Sequence, residues 1–198
     1  MSELSKHMNC YILAGGQSSR MGIDKGLIQL NGKAIVQHVI DKLKPLFKNV
    51  IIVSNNKEYS KFGLETISDI IKDSGPAGGI YTALTHSNTG NNFIVSCDMP
   101  FITLEAVKFV ISESASYQIT VPIHHQKYEP LFAQYSTSCK DKWKQEIDKG
   151  VFKLQNIMTK FNVLELNVEG NPLFNDVFTN INTKEDLEKA VKKLSHGN

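Results

Sequence analysis

Residues 15–25 place Gly15-Gly16, Arg20 and Lys25 together, immediately after the apolar run Tyr11-Ile12-Leu13-Ala14. Arg20 is the only arginine among 22 basic side chains. Glycines leave backbone N–H groups uncovered and let an anion approach closely. A guanidinium grips two phosphate oxygens at once, and a lysine adds a point charge. A second apolar run, residues 92–97, ends in Asp98. A carboxylate at a strand end can hold Mg²⁺, which neutralises further phosphate oxygens. Two polar segments lie between: Ser54-Asn55-Asn56, and residues 68–79 with Asp69, Asp73 and Gly79. The chemistry these types suit is the binding of phosphate groups, with a metal ion to share in neutralising their charge.

The glycine loop is neither of two familiar phosphate loops. A P-loop needs G-x-x-x-x-G-K-[ST], and the fifth residues after Gly15 and Gly16 are Arg20 and Met21. The dinucleotide pattern G-x-G-x-x-G is also absent.

These groups need a scaffold that gathers them. Residues 10–14, 49–54 and 92–98 read as strands, and 33–47, 78–87 and 103–114 read as helices. Thr103 is the expected N-cap of the last. Strand–helix alternation implies an α/β fold: one doubly wound, mostly parallel sheet with helices on both faces. Ligands bind such sheets outside the carboxyl ends of the strands, where Gly15, Asn55 and Asp98 fall. After residue 115, segments 118–124 and 128–136 read as antiparallel strands at one edge. Residues 139–150 and 151–160 read as helices, 162–168 as a late strand, and 182–194 as a closing helix capped by Thr183 and Asp186. One domain over residues 1–198 is expected, with a nucleotide half at about 8–115 and an acceptor half at about 116–198.

A net charge of +2 gives no argument for nucleic acid or a membrane surface as partner. Three widely spaced cysteines, Cys10, Cys97 and Cys139, suggest neither a zinc site nor a disulfide framework. No signal peptide or membrane-length apolar run is visible. The expectation is a protein of the reducing cytoplasm.

The string LAGGQSSRMGIDK, residues 13–25, resembles the L-A-G-G-x-S-x-R-M-G-x-D-K signature of the molybdenum cofactor guanylyltransferases. GPAGG at 75–79 is similar to that family's G-P-L-A-G loop, and CDMPF at 97–101 to its C-D-x-P-F motif. YEPLFAQY at 128–135 and FTNINTKEDL at 178–187 are similar to its E-P-L and F-x-N-I-N-T-P-E-D-L segments, with Lys184 in place of the proline.

The resemblance implies a Rossmann-like nucleotidyltransferase fold. It implies transfer of GMP from GTP to molybdopterin-bound molybdenum cofactor, with Mg²⁺ as cofactor and molybdoenzyme-maturation proteins as further partners. It assigns catalysis to Lys25, Arg20 and Asp98, and the metal to Asp98 with Asn180 or Asn182. It assigns the nucleotide to Leu13, Ala14, Gly15, Gly16, Lys25, Asn55 or Asn56, Asp69, Gly79 and Asp98. The Gly15-Gly16 pair favours GTP over CTP, because related cytidylyltransferases tend to carry L-A-A-G there. A sugar-phosphate nucleotidyltransferase and a non-catalytic nucleotide-binding regulator are the rival readings. His124-His125 fits no familiar metal-ligand spacing, and reads either as a loop near the pterin or as having no role. Trp143 reads as a packing residue.

Overall fold

The structure, a computed structural model, describes residues 7–15, 24–113, 116–181 and 183–196. Gly16, Arg20 and Asn182 lie outside the described residues.

The chain begins with β1 (Asn9–Leu13), a buried strand that pairs in parallel with both β4 (Asn49–Val53) and β6 (Asn91–Ser96). A two-residue hairpin precedes β4: β2 (Gln29–Leu30) and β3 (Lys33–Ala34) are joined by Asn31-Gly32, both at positive φ. Asn-Gly is the favoured dipeptide for such a turn, and Lys33–Ala34, expected at the start of the 33–47 helix, form the hairpin's second strand instead. The hairpin feeds α1 (Ile35–Leu43), whose Ile35, Val36, Val39, Ile40 and Leu43 are buried at helical spacing. Beyond β4, β5 (Glu65–Ile67) extends the parallel sheet. Helices α2 (Gly75–His86) and α3 (Leu104–Ser112) flank β6, and the Thr103 hydroxyl accepts from the Ala106 N–H at 3.1 Å, as the cap assignment requires.

The second half completes the same sheet. It contributes β7 (Ile119–His124), β8 (Lys127–Tyr128), β9 (Phe132–Ser136) and β10 (Val163–Asn167). The order is β10-β7-β9-β6-β1-β4-β5, with β8 paired to β7. The expected edge pair is therefore corrected. Strands β7 and β9 are antiparallel, but β9 lies inside the sheet between β6 and β7, and β10 forms the edge beside β7. Pairing of β7 with β9 covers only Ile119 and Thr120 and stops before Pro122, which has no N–H to give.

Helices α4 (Lys140–Asp148) and α5 (Leu154–Met158) pack with α2 on one face of the sheet, around Tyr11, Ile94, Trp143 and Ile157. The Trp143 indole donates to the Ala77 carbonyl at 3.0 Å. Helices α1 and α3 cover the other face, around Cys10, Ile12, Phe93 and Val95. The alternation of neighbours in β1 and β6 between the two clusters is that of a strand buried on both sides. Helix α6 (Lys184–His196) closes over the hairpin through Ile181, Ala190, Leu30 and Ile35. Its capping box is formed: the Thr183 hydroxyl accepts from Asp186 N and the Asp186 carboxylate from Thr183 N. All three cysteines are free and buried. No described helix is long and apolar enough to cross a membrane.

Candidate active site

The carboxyl ends of β1, β4, β5 and β6 share one rim, because these strands are parallel. At the end of β1 the chain turns at Gly15, whose φ of +124° strains any residue with a side chain. Ala14 N donates to the Val53 carbonyl at 2.9 Å, and Cys97 N to the Leu13 carbonyl at 3.0 Å. These bonds hold the loop start between the ends of β4 and β6.

The far arm of the loop is pinned by Asp24. Its carboxylate accepts from the Tyr59 hydroxyl at 2.5 Å, from the Asn56 amide at 3.2 Å and from Gly26 N at 3.2 Å. Asp24 thereby starts the single turn Lys25–Leu27 and ties it to the segment after β4. Gly26 lies hard against that segment. A Cβ there would stand 2.3 Å from the Tyr59 hydroxyl and 3.0 Å from Cys97 Sγ. Burial raises the Tyr59 hydroxyl well above its ordinary range, and pushes the Cys97 thiol up to about 12. Both stay neutral, which suits a structural floor rather than a nucleophile.

On that floor, Lys25 Nζ stands 3.8 Å from Asp98 Oδ2. Their side chains keep 27% and 15% of their exposure, so a ligand can reach them while water screens them weakly. The other Asp98 oxygen accepts from the Ser96 hydroxyl at 2.6 Å. Behind Asp98, its backbone carbonyl accepts from Ile181 N at 3.3 Å, which brings the 178–181 segment to the same rim. Asn180 Oδ1 is buried with no hydrogen-bond partner among the described residues. A carboxylate and an unsatisfied amide oxygen, on two segments joined by this backbone bond, are oxygen donors of the kind that Mg²⁺ prefers, so the chemistry of these residues fits the metal.

The members of the two pairs of alternatives after β4 have different surroundings. Asn56 is occupied: its side chain caps the 57–62 turn by accepting from Glu58 N and also donates to Asp24. Asn55 instead makes a reciprocal pair with Asp69, its amide donating to Asp69 Oδ2 and its carbonyl accepting from Asp69 N, each at 3.0 Å. Asp69 Oδ1 is buried without a partner among the described residues, and burial raises its pKa against the opposing effect of Asn55. Asp73 sits exposed at φ +58° in the same loop. Thr82, buried on α2, staples this loop by accepting from Ile70 N at 2.9 Å. Ser74, at the N-cap of α2, makes no side-chain cap hydrogen bond. Gly79 is buried against Leu13, whose Cδ1 an added Cβ would approach to 3.1 Å, so close helix-to-strand packing accounts for the glycine there.

Four residues at the site were not singled out from sequence: Tyr59, Gly26, Ser96 and Thr82. Tyr59, Gly26 and Thr82 act through contacts distant in sequence, and Ser96, although only two residues from Asp98, belongs to no motif of its own. Asp24 and Glu129 stand within the quoted motifs but were given no role. Glu129 lies in the segment that enters β9, where Leu131 accepts from Ser96 N. Burial pushes its carboxyl up to about 7, with Lys127 only partly offsetting this.

The pattern of the MobA-like NTP transferase domain matches residues 10–160, which span β1 through α5. The chain belongs to this family. A relative from Natranaerobius thermophilus, named "Probable molybdenum cofactor guanylyltransferase", is 37% identical over 96% of this chain and 98% of its own length. One of the same name from Flavobacterium johnsoniae is 36% identical over 95% of this chain and 98% of its own. Among solved structures, molybdopterin-guanine dinucleotide biosynthesis protein A from Archaeoglobus fulgidus superposes with a TM-score of 0.83 at 30% identity, covering 96% of this chain and 100% of that one. The rim of this MobA-like domain thus has the α/β nucleotidyltransferase scaffold of its relatives beneath it.

Proposed function

We propose that this MobA-like protein transfers GMP from GTP to molybdopterin-bound molybdenum cofactor and releases pyrophosphate. The observation that carries the reading is the pairing of Lys25 with Asp98 on the strand-end rim, at 3.8 Å, in a chain whose relatives along nearly its whole length bear the guanylyltransferase name.

In the proposed reaction, a phosphate oxygen of the acceptor attacks the α-phosphorus of GTP. A new P–O–P linkage forms, the bond to the β-phosphate breaks, and pyrophosphate leaves with the electron pair. The attacking oxygen is already ionised at neutral pH, so no side chain has to remove a proton. The barrier is the approach of two polyanions, and lowering it takes positioning and charge neutralisation. Lys25 lies against the triphosphate, with Gly15 giving the backbone room to pass beneath it. Arg20, outside the described residues, would extend that cradle. Asp98, with Asn180 on the adjoining segment, would hold Mg²⁺, which supplies charge neutralisation between the two phosphates. Asn55 and Asp69 offer paired polar groups to the nucleoside, and the unsatisfied Asp69 Oδ1 supports this assignment.

The test is pyrophosphate release by the pure protein with Mg²⁺ and molybdenum cofactor, compared for GTP, CTP, ATP and UTP. A kcat/KM for GTP roughly 10²-fold above the others is expected, because unmatched buried polar groups penalise the wrong base. A preference for CTP would replace the guanylyl reading with a cytidylyl one, and nucleotide binding without turnover would leave a regulator.

A further inference from the structure

At the carboxyl end of β7 the chain makes a two-residue turn into β8, with His125 at φ +49° and Gln126 at φ +61°. Neighbouring side chains on a strand point to opposite faces. Here the left-handed turn instead swings His125 back over His124, so that the ring centroids lie 3.9 Å apart. The parallel edge strand brings a third group. Val168 N donates to the Ile123 carbonyl at 3.2 Å, which fixes the chain leaving β10 beside this turn. Glu169 then reaches the turn with both oxygens: Oε2 accepts from His125 N at 3.0 Å, and Oε1 stands 3.2 Å from His125 Nδ1. One ligand atom from each of His124, His125 and Glu169 lies within 4.8 Å of the other two.

We propose that His124, His125 and Glu169 form a binding site for a borderline divalent transition-metal ion of the zinc class, with at least one coordination position open. Two imidazoles and a carboxylate are a donor set such ions favour over Mg²⁺, which prefers oxygen alone. Around a tetrahedral ion with bonds of about 2.0–2.1 Å, ligand atoms stand about 3.4 Å apart. His125 and Glu169 are exposed and His124 is half-buried, so closing from 4.8 Å to that spacing falls to side-chain rotation. An ion pair alone would account for His125 and Glu169 but not for the second imidazole, tilted at 41° against the first within the same cluster. Three protein ligands on an exposed turn leave the ion a place for water or a ligand.

The site differs from the one at Asp98 but shares its rim. The His124 ring packs 5.0 Å from the Phe178 ring, and the chain runs on from there to Ile181, which donates to the Asp98 carbonyl. An ion here occupies the acceptor half of the rim.

The test uses untagged, chelator-treated protein titrated with Zn²⁺ by calorimetry and with Co²⁺ by visible absorption, with Mg²⁺ present throughout. One Zn²⁺ per chain should bind, and Co²⁺ should give the d–d bands of an imidazole-ligated ion. His124→Phe keeps a ring against Phe178 without a ligand nitrogen. His125→Asn keeps a residue tolerant of positive φ. Each should weaken Zn²⁺ binding by more than about 10-fold, since even outer-shell partners are worth 10–100-fold in metal affinity. Glu169→Gln should weaken it in the same direction. Absence of Zn²⁺ binding in the parent overturns the proposal, and so does binding unchanged in His124→Phe and His125→Asn.

Discussion

The Tyr59 hydroxyl donates to Asp24 Oδ1 at 2.5 Å, across 35 residues of sequence. This bond ties the loop arm that carries Lys25 to the segment after β4. Tyr59→Phe deletes this donor, and with it the hydroxyl's hydrogen bond with the Cys97 thiol. Hydrogen bonds to charged groups are worth about 1.5–3 kcal/mol, so urea denaturation should show a loss of that size. The loss of kcat should exceed the rise in KM for GTP, because Lys25 is left less firmly placed for the transition state. A variant as stable and as active as the parent would show that Asp24 does not need this anchor.

Gly26 faces the same hydroxyl. Gly26→Ala puts a methyl group 2.3 Å from it, and overpacking of this kind costs about 1–3 kcal/mol. The double variant with Tyr59→Phe removes the atom that clashes. Its destabilisation should therefore be less than the sum of the two single effects, by about 0.5 kcal/mol or more. Additive losses in a double-mutant cycle would place the strain elsewhere.

Asp98→Asn preserves the side-chain shape, and its Oδ1 can still accept from Ser96. The melting temperature should change little. Turnover should fall by roughly 10²-fold or more, the scale of losing one key electrostatic group. Near-normal turnover at saturating Mg²⁺ would remove Asp98 from its proposed role.

Glu129 predicts a pH dependence of stability. Its folded pKa is raised to about 7 by burial, above the usual carboxylate value of 4.5. The folded protein therefore holds a proton that the unfolded chain has released. The stabilisation from this group is fully present below about 4.5 and is lost as pH rises through about 7. Glu129→Gln should flatten the stability curve across that window, measured by denaturation without nucleotide or metal. It should leave the variant more stable than the parent at pH 8. Parallel curves for the two proteins would show that Glu129 is solvated when charged.

Much of the architecture is legible in local pattern. Buried positions in α1 recur at helical spacing, β1 and β6 read as continuous apolar runs, and Thr103 and Asp186 announce their helices through caps that the structure forms. These signals survive in a bare sequence because period and capping are set by residues at most a few positions apart. The gathering of Gly15, Asn55 and Asp98 on one rim follows from the same reading, since parallel strands present their carboxyl ends together.

Other features depend on contacts between segments distant in sequence, and no local pattern encodes those. The insertion of β9 between β6 and β7 is a choice among pairings that all suit its apolar residues. Asn55 and Asn56 are chemically identical neighbours; Asp69 on one side and Asp24 on the other divide their work. His124-His125 fits no familiar metal-ligand spacing as a dipeptide, and a strand would point the two rings apart. Only the left-handed turn and the edge strand carrying Glu169 bring the three groups within 4.8 Å. By itself the sequence determined the chemical inventory of the rim and the strand ends that carry it. The tertiary structure decided which of those groups hold the loop, Asp24 and Asn56 among them, and which keep a buried oxygen with no partner among the described residues, Asp69 and Asn180. A hydrogen bond to a distant partner can commit a side chain to holding the loop, as the one to Asp24 commits Asn56, without leaving a trace in its own neighbourhood.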